Sequence, residues 1–137
     1  MIKVSHVPRE HINDCWKEIE GHLKKCADYT YGRYKVEDIY LEICQYNHEL
    51  WIAYDEDKIK GAVVTNLVIY PRKKCCSMTF CGGEDFDKWK DIMLDLLKKW
   101  AKDNNCDSLE AVGRLGWAKI FKNDGHKSLF NTFELPL

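Results

Sequence analysis

The stretch Gly61–Asp87, "GAVVTNLVIYPRKKCCSMTFCGGEDFD", decides what kind of fold this chain adopts. Val63, Val64, Val68 and Ile69 form a β-branched run, the side chains that suit a pleated, half-buried strand. Pro71 closes the run, since a proline cannot donate to a ladder. "CCSMTFC", Cys75–Cys81, supplies a second strand, and the pair Gly82–Gly83 marks a turn. Beyond the turn, Phe86, Trp89, Ile92, Met93, Leu96, Leu97 and Trp100 recur at helical spacing, with charges opposite. Asp85 or Asp87 stands where a helix start is capped, and Lys98, Lys99 and Lys102 lie where the dipole favours cations.

Working upstream, Trp51, Ile52 and Tyr54 lead into the polar turn "DEDK", which makes an antiparallel meander with the next two strands. "IKVSHV" alternates as a first strand, and Pro8 suits the first turn of a helix, where its missing N–H costs nothing. Ile12, Cys15, Trp16, Ile19, Leu23 and Cys26 form an apolar stripe, "ADYTYGRYK" interrupts it, and Val36, Ile39, Tyr40 and Ile43 give a second, shorter helix. Downstream, "DSLEAVG" reads as a strand, "GRLGWAKIFKNDGHKSLF" as a short helix with a turn at Gly125, and "SLFNTFEL" as a final strand. The order is strand, two helices, three strands, long helix, strand, short helix, strand. No repeat, low-complexity tract or linker interrupts it, so residues 1–137 are expected to form one α/β domain.

A net charge of −1 offers no general attraction to nucleic acid or anionic lipid. No apolar run approaches the ~20 residues that span a bilayer, and "MIKVSHVPRE" is too short in apolar residues for a signal peptide. A soluble, cytoplasmic protein is expected. The seven cysteines are odd in number and contain no CxxC, so they are expected to be reduced thiols acting as small apolar side chains. His11, Cys15, His22 and Cys26 make two HxxxC pairs, but these stand about 16 Å apart along a helix and cannot share one ion. No metal site is expected.

The element order resembles the GNAT superfamily, the acyl-CoA-dependent amine N-acetyltransferases, over nearly the whole chain. In that superfamily the late short helix commonly carries a Phe-Tyr pair, three residues, then Gly-Phe; "IFKNDGH" places Ile120, Phe121, Gly125 and His126 there. The "GRxGW" element (Gly113, Arg114, Gly116, Trp117), Leu50–Trp51 and "CGGEDFDKW" are similar to GNAT-like proteins of tailed phages. Some of those are taken as acetyltransferases; others belong to a short-tailed-phage group tied to an internal virion protein. The fold implied is a mixed, mostly antiparallel twisted sheet with helices on both faces.

The resemblance implies acetyl-CoA as cofactor, bound along Phe80, Cys81, Gly82, Gly83, Phe86 and Asp87, with backbone donors on a splayed strand and amides at a helix start holding the pyrophosphate. The family's fuller glycine loop is absent. Glu84, Asp85 and Asp87 stand in its place, and three carboxylates there are expected to repel a diphosphate. The family's tyrosine acid is replaced by Phe121, leaving His126 or Tyr70 as substitutes. Glu110 and Glu49 are the carboxylates in strands that could serve as base, or that simply face solvent. Arg114 suits either an anion or a nearby carboxylate, and "YTYGRYK" suits a loop that packs aromatics over a cleft. Two functions are compatible with these residues. One is acetyl transfer to an unidentified amine, with acyl-CoA and that amine as partners. The other is a non-catalytic derivative binding a phage or host protein in or near the virion.

Overall fold

A computed structural model describes residues 1–113, 121, 123 and 125–137. Arg114, Gly116, Trp117 and Ile120, and with them most of the expected short helix, lie outside the described residues. The elements are β1 (Lys3–Val7), a 3-10 turn (Arg9–His11), α1 (Ile12–Asp28), α2 (Val36–Gln45), β2 (Glu49–Asp55), β3 (Lys58–Ile69), β4 (Lys74–Gly83), α3 (Phe86–Asp103) and β5 (Ser108–Ala111). Pro8 precedes the 3-10 turn with φ −58°, the value its ring enforces.

The strands form one sheet in sequence order, β1-β2-β3-β4-β5. The first four pair antiparallel, and β5 joins β4 in parallel after the α3 crossover. The sheet therefore has helices on both faces, each face with its own core. On one side Ile12, Ile19, Leu23 and Ala27 of α1 and Val36, Ile39 and Ile43 of α2 bury against Leu50, Ala62, Val64 and Phe80. On the other, Trp89, Met93, Leu94 and Leu97 of α3 cover Trp51, Ala53, Val63 and Met78. Ile92, expected on the packed face of α3, is instead 40% exposed, and Leu94 and Ala101 are buried. The true stripe lies slightly around the helix from the expected one.

Two polar groups buried in the sheet satisfy each other: the Trp51 indole N–H donates to Thr65 Oγ1 at 2.9 Å. All seven cysteines are free. Burial holds the Cys76 thiol up at about 12, so it packs as a small apolar group. The histidines of the two HxxxC pairs have other partners: His11 Nδ1 meets Asp14 at 3.0 Å, and His22 Nε2 meets the Ile59 carbonyl at 2.9 Å.

Two β-bulges interrupt the ladders. Ala53 pairs with Gly61 and Tyr54 with Ile59, which leaves Lys60 as an extra residue on β3. Val64 pairs with Phe80 and Thr65 with Met78, leaving Thr79 extra on β4. One turn of α1 holds the first bulge. Glu18 accepts the Ile59 N–H at 2.5 Å, and His22, four residues on, binds the carbonyl of the same residue.

The final strand expected at Ser128–Leu135 does not form. Residues 127–137 carry no regular structure and are exposed.

Two stability effects are expected. Removing the clamp by Glu18→Ala strands a backbone N–H at the bulge and costs about 1–2 kcal/mol in urea denaturation. Burial lowers the His48 imidazole below its ordinary 6.5, outweighing the nearby Glu42 carboxylate. The unfolded chain then takes up this proton first, so His48's contribution is whole above about pH 6.5 and declines as the pH falls below it. His48→Gln should flatten that acid limb in urea titrations between pH 7 and 5.

Candidate functional site

Where β4 and β5 part is set by their register. They pair from Cys75↔Ser108 to Met78↔Ala111, with one more bond from the Val112 N–H to the Met78 carbonyl at 3.1 Å. Beyond this β4 continues through Thr79–Gly83, paired with β3 only, among the described residues. Alternate main-chain groups on that edge point away from β3 with no ladder partner, although the Cys81 carbonyl accepts from the Cys26 thiol of α1 at 2.6 Å. The Thr79 bulge lies at the fork, and its hydroxyl donates to the Val64 carbonyl at 3.2 Å. Phe80 turns its side chain to the α1/α2 core, where Tyr34 from the α1–α2 loop meets it edge-on at 5.2 Å. One tyrosine of the "YTYGRYK" segment is thus packed beside the fork, while Tyr31 remains exposed.

The far end of β4 is crowded backbone to backbone. A Cβ on Gly82 would lie 2.1 Å from the His22 carbonyl oxygen of α1. A Cβ on Gly83 would lie 2.4 Å from Lys60 O and from Gly61 Cα, and its φ of +142° suits glycine alone. On the opposite face a Cβ on Gly61 would enter the Trp89 ring at 2.4 Å. The glycine pair expected to admit a phosphate is therefore required by the packing of α1 and β3 against β4.

Beyond Gly83 the chain makes its turn into α3. The Glu84 N–H donates to the Lys60 carbonyl at 2.8 Å, and the Trp89 indole N–H donates to the Glu84 carbonyl at 2.9 Å. Asp85 takes the N-cap position in the left-handed region, φ 56°, yet makes no side-chain capping bond. The carboxylates turn instead toward β3: Glu84 to Lys58 at 3.2 Å and Lys60 at 3.9 Å, and Asp85 to Lys60 at 3.6 Å. Lys58, by hydrogen bond and charge, and then Lys60 hold the Glu84 carboxyl below its usual range. The expected repulsion is thus corrected in two of its three members. Two lysines neutralise Glu84 and Asp85, and β3 lies on the far side of β4 from the gap. Sequence reading overlooked Lys58 and Lys60; their spacing on β3 is visible, but their meeting with the β4 turn depends on the hairpin register. Asp87 remains acidic in the first turn, and Phe86 packs its ring on Trp89 at 4.9 Å.

Among the candidate acid and base groups, two come together. The Tyr70 hydroxyl donates to Glu110 at 2.8 Å. That bond, together with burial, raises the phenol above its ordinary value, so Tyr70 stays protonated and Glu110 accepts. Glu110 stands opposite Ser77, next to the last paired position of β5. Its neighbours Leu109 and Ala111 pack toward α3, so strand alternation puts Glu110 on the α1/α2 side, with Phe80 and Tyr34. Glu49 is taken by His6 at 2.7 Å and Arg9 at 3.8 Å. His126 lies apart, its ring 5.0 Å from Phe121, which packs into the α3-side core. Cys81, though beside the gap, has its thiol raised by burial and then by Cys26.

No protein-family model matches the sequence, nor does any curated protein. Solved structures do match in shape. A putative acetyl transferase from Pyrococcus furiosus superposes with TM-score 0.72 at 14% identity, covering 100% of both chains. A predicted acetyltransferase with acetyl-CoA from Clostridium acetobutylicum gives 0.69 at 15%, covering 99% of this chain and 96% of that one. An aminoglycoside acetyltransferase from an uncultured soil metagenomic sample, in complex with sisomicin, gives 0.71 at 11%, with 99% and 96% covered. The fold is that of the GNAT acetyltransferases.

The contrast between two glycines tests this geometry. Gly82→Ala should destabilise the protein by about 2–3 kcal/mol through its clash with α1. Gly21→Ala, on α1 with no atom within 4 Å, should stabilise it by about 0.5–1 kcal/mol. Urea midpoints read both.

Proposed function

We propose that the protein transfers an acetyl group from acetyl-CoA to an amine. The observation that carries this reading is the fork itself. The edge of β4 beyond Met78, which no strand pairs among the described residues, runs toward a helix start where Asp85 makes no side-chain capping bond, with a hydrogen-bonded carboxylate at the point of divergence. Those backbone groups along Phe80, Cys81, Gly82 and Gly83 that β3 does not use, other than the Cys81 carbonyl held by Cys26, would hold the pantetheine arm. The first turn of α3, around Phe86 and Asp87, would meet the pyrophosphate. The lysine pairing of Glu84 and Asp85 supports this placement, because it removes most of the charge that opposes a diphosphate.

As the acceptor nitrogen bonds the acetyl carbon the thioester C–S bond breaks, so the nitrogen must be stripped of its extra proton and the departing CoA thiolate takes one from solvent. Glu110 is the group we assign to that task. From Ser77, its register partner, to Phe80 is about 10 Å of strand, so the proton passes through an intervening water. Tyr70 holds the carboxylate in place and, remaining protonated, keeps it an acceptor. His126 is given no part, because its ring sits with Phe121 toward the α3-side core. The acceptor is an amine that arrives over the Tyr34–Phe80 edge; aminoglycosides and small diamines are the first panel to assay.

Acetyl-CoA at a hundredfold its Kd should stabilise the folded protein by about 2.7 kcal/mol, several degrees in melting temperature. Glu110→Gln should keep that shift while lowering kcat by about a hundredfold or more. A non-catalytic derivative of the fold, serving a partner in or near a phage particle, predicts no shift at millimolar acetyl-CoA and no turnover on any amine. That pair of results would end the transferase reading.

A further inference from the structure

Helices α1 and α2 lie side by side, and their core-facing residues Ile19, Leu23, Ile39 and Ile43 are fully buried. On the outer side of the pair they leave a cavity of about 230 Å³, lined by Trp16 and Glu20 of α1 and by Val36, Glu37, Tyr40 and Leu41 of α2. Sites for drug-sized molecules run to ~300–1,000 Å³, so this one suits a smaller guest. None of Tyr34, Phe80 and Glu110 contributes to the lining, so the cavity is separate from the proposed acetyl-transfer site.

Most of its wall is aromatic and aliphatic. The Trp16 and Tyr40 rings stand 4.9 Å apart, tilted by 58°. Both are partly buried, and the Tyr40 hydroxyl donates to the Asn13 side chain, so its polar atom is already engaged. Val36 and Leu41 complete the apolar lining. The two remaining residues, Glu20 and Glu37, are exposed carboxylates, and neither forms an ion pair among the described residues. Lys17 and Lys24 are within helical reach of Glu20, yet neither pairs with it.

An aromatic cavity flanked by unpaired carboxylates is complementary to an organic cation. Ring quadrupoles attract a cation placed over their faces, tryptophan most strongly, and the two carboxylates add attraction while repelling anions. The kind of cation follows from the wall. A primary ammonium brings three N–H donors, and the apolar wall offers them no acceptor. A quaternary ammonium has no donor to strand, and its methyl groups gain from leaving water. We infer that the α1–α2 cavity binds a small quaternary ammonium compound that carries no acid group, a molecule of the choline type. Trp16 and Tyr40 hold the cationic head, and Glu20 and Glu37 balance its charge.

Two-dimensional NMR of the full ¹⁵N-labelled chain tests this, following the Trp16 indole N–H, assigned through Trp16→Phe. Choline, titrated in about 0.15 M salt to screen diffuse attraction, should move that signal to saturation. A Kd of about 1 mM is expected for so small a ligand. Two probes check the chemistry: ethanolamine, the primary amine, and the uncharged isostere with a tert-butyl group in place of the trimethylammonium. Each should bind at least about tenfold more weakly than choline. Glu20→Gln with Glu37→Gln alters only exposed positions, so the variant should fold, and its Kd for choline should rise about fivefold. A Trp16 signal that does not saturate by ~20 mM choline overturns the proposal. So does either probe binding as tightly as choline, or an affinity unchanged in the double variant.

Discussion

The molecule is organised around a place where side chains are forbidden. At Gly82 a turn of α1 rests its His22 carbonyl directly on β4; at Gly61 the Trp89 ring of α3 lies on β3 from the other face; Gly83 threads between Lys60 and Gly61. Helix, sheet and helix meet there at backbone distance. Any Cβ would push one layer off another, and a close-packed interior has little room to yield. This junction fixes where α3 begins relative to the end of β4, and hence where a helix start stands relative to the parted strands.

Charge is arranged from the same place. The bulge at Lys60, held by Glu18 and His22 from α1, aims the Lys60 carbonyl at the Glu84 N–H and its ammonium at Asp85. An acidic turn that reads as hostile to a diphosphate becomes nearly neutral once folded. The second bulge, at Thr79, turns Phe80 toward Tyr34, where β4 loses β5. Each irregularity of the sheet therefore has a consequence at the fork. The bulges are where a regular meander departs from its ladder, while the cores on either side remain ordinary.

Glu110 and Tyr70 illustrate how a pair acquires meaning by meeting. Alone, a glutamate in a four-residue strand and a tyrosine at the end of another are surface residues. Joined at 2.8 Å beside the fork, with the phenol held protonated, they form a positioned acceptor. Fold likeness to acetyltransferases at 11–15% identity says nothing of such residues; only their local chemistry does.

The sequence by itself determined the element order through β5 and the two-faced packing. Periods of two and of three to four are imposed by local backbone geometry and need no distant partner. It also marked Phe80–Asp87, Tyr70, Glu110 and His126 as the residues to watch. The helix cap expected of Asp85, the burial of Ile92 and the last strand were misread, because each depends on what lies across space. Lys60 draws the aspartate off, the sheet selects which side of α3 it covers, and an alternating segment is a strand only where an edge awaits it. Tertiary structure alone decided that the glycines serve packing, that Glu84 and Asp85 pair with lysines, and that Tyr70 meets Glu110 while His126 sits apart. Register and bulges set these meetings, and a one-residue slip would undo all of them.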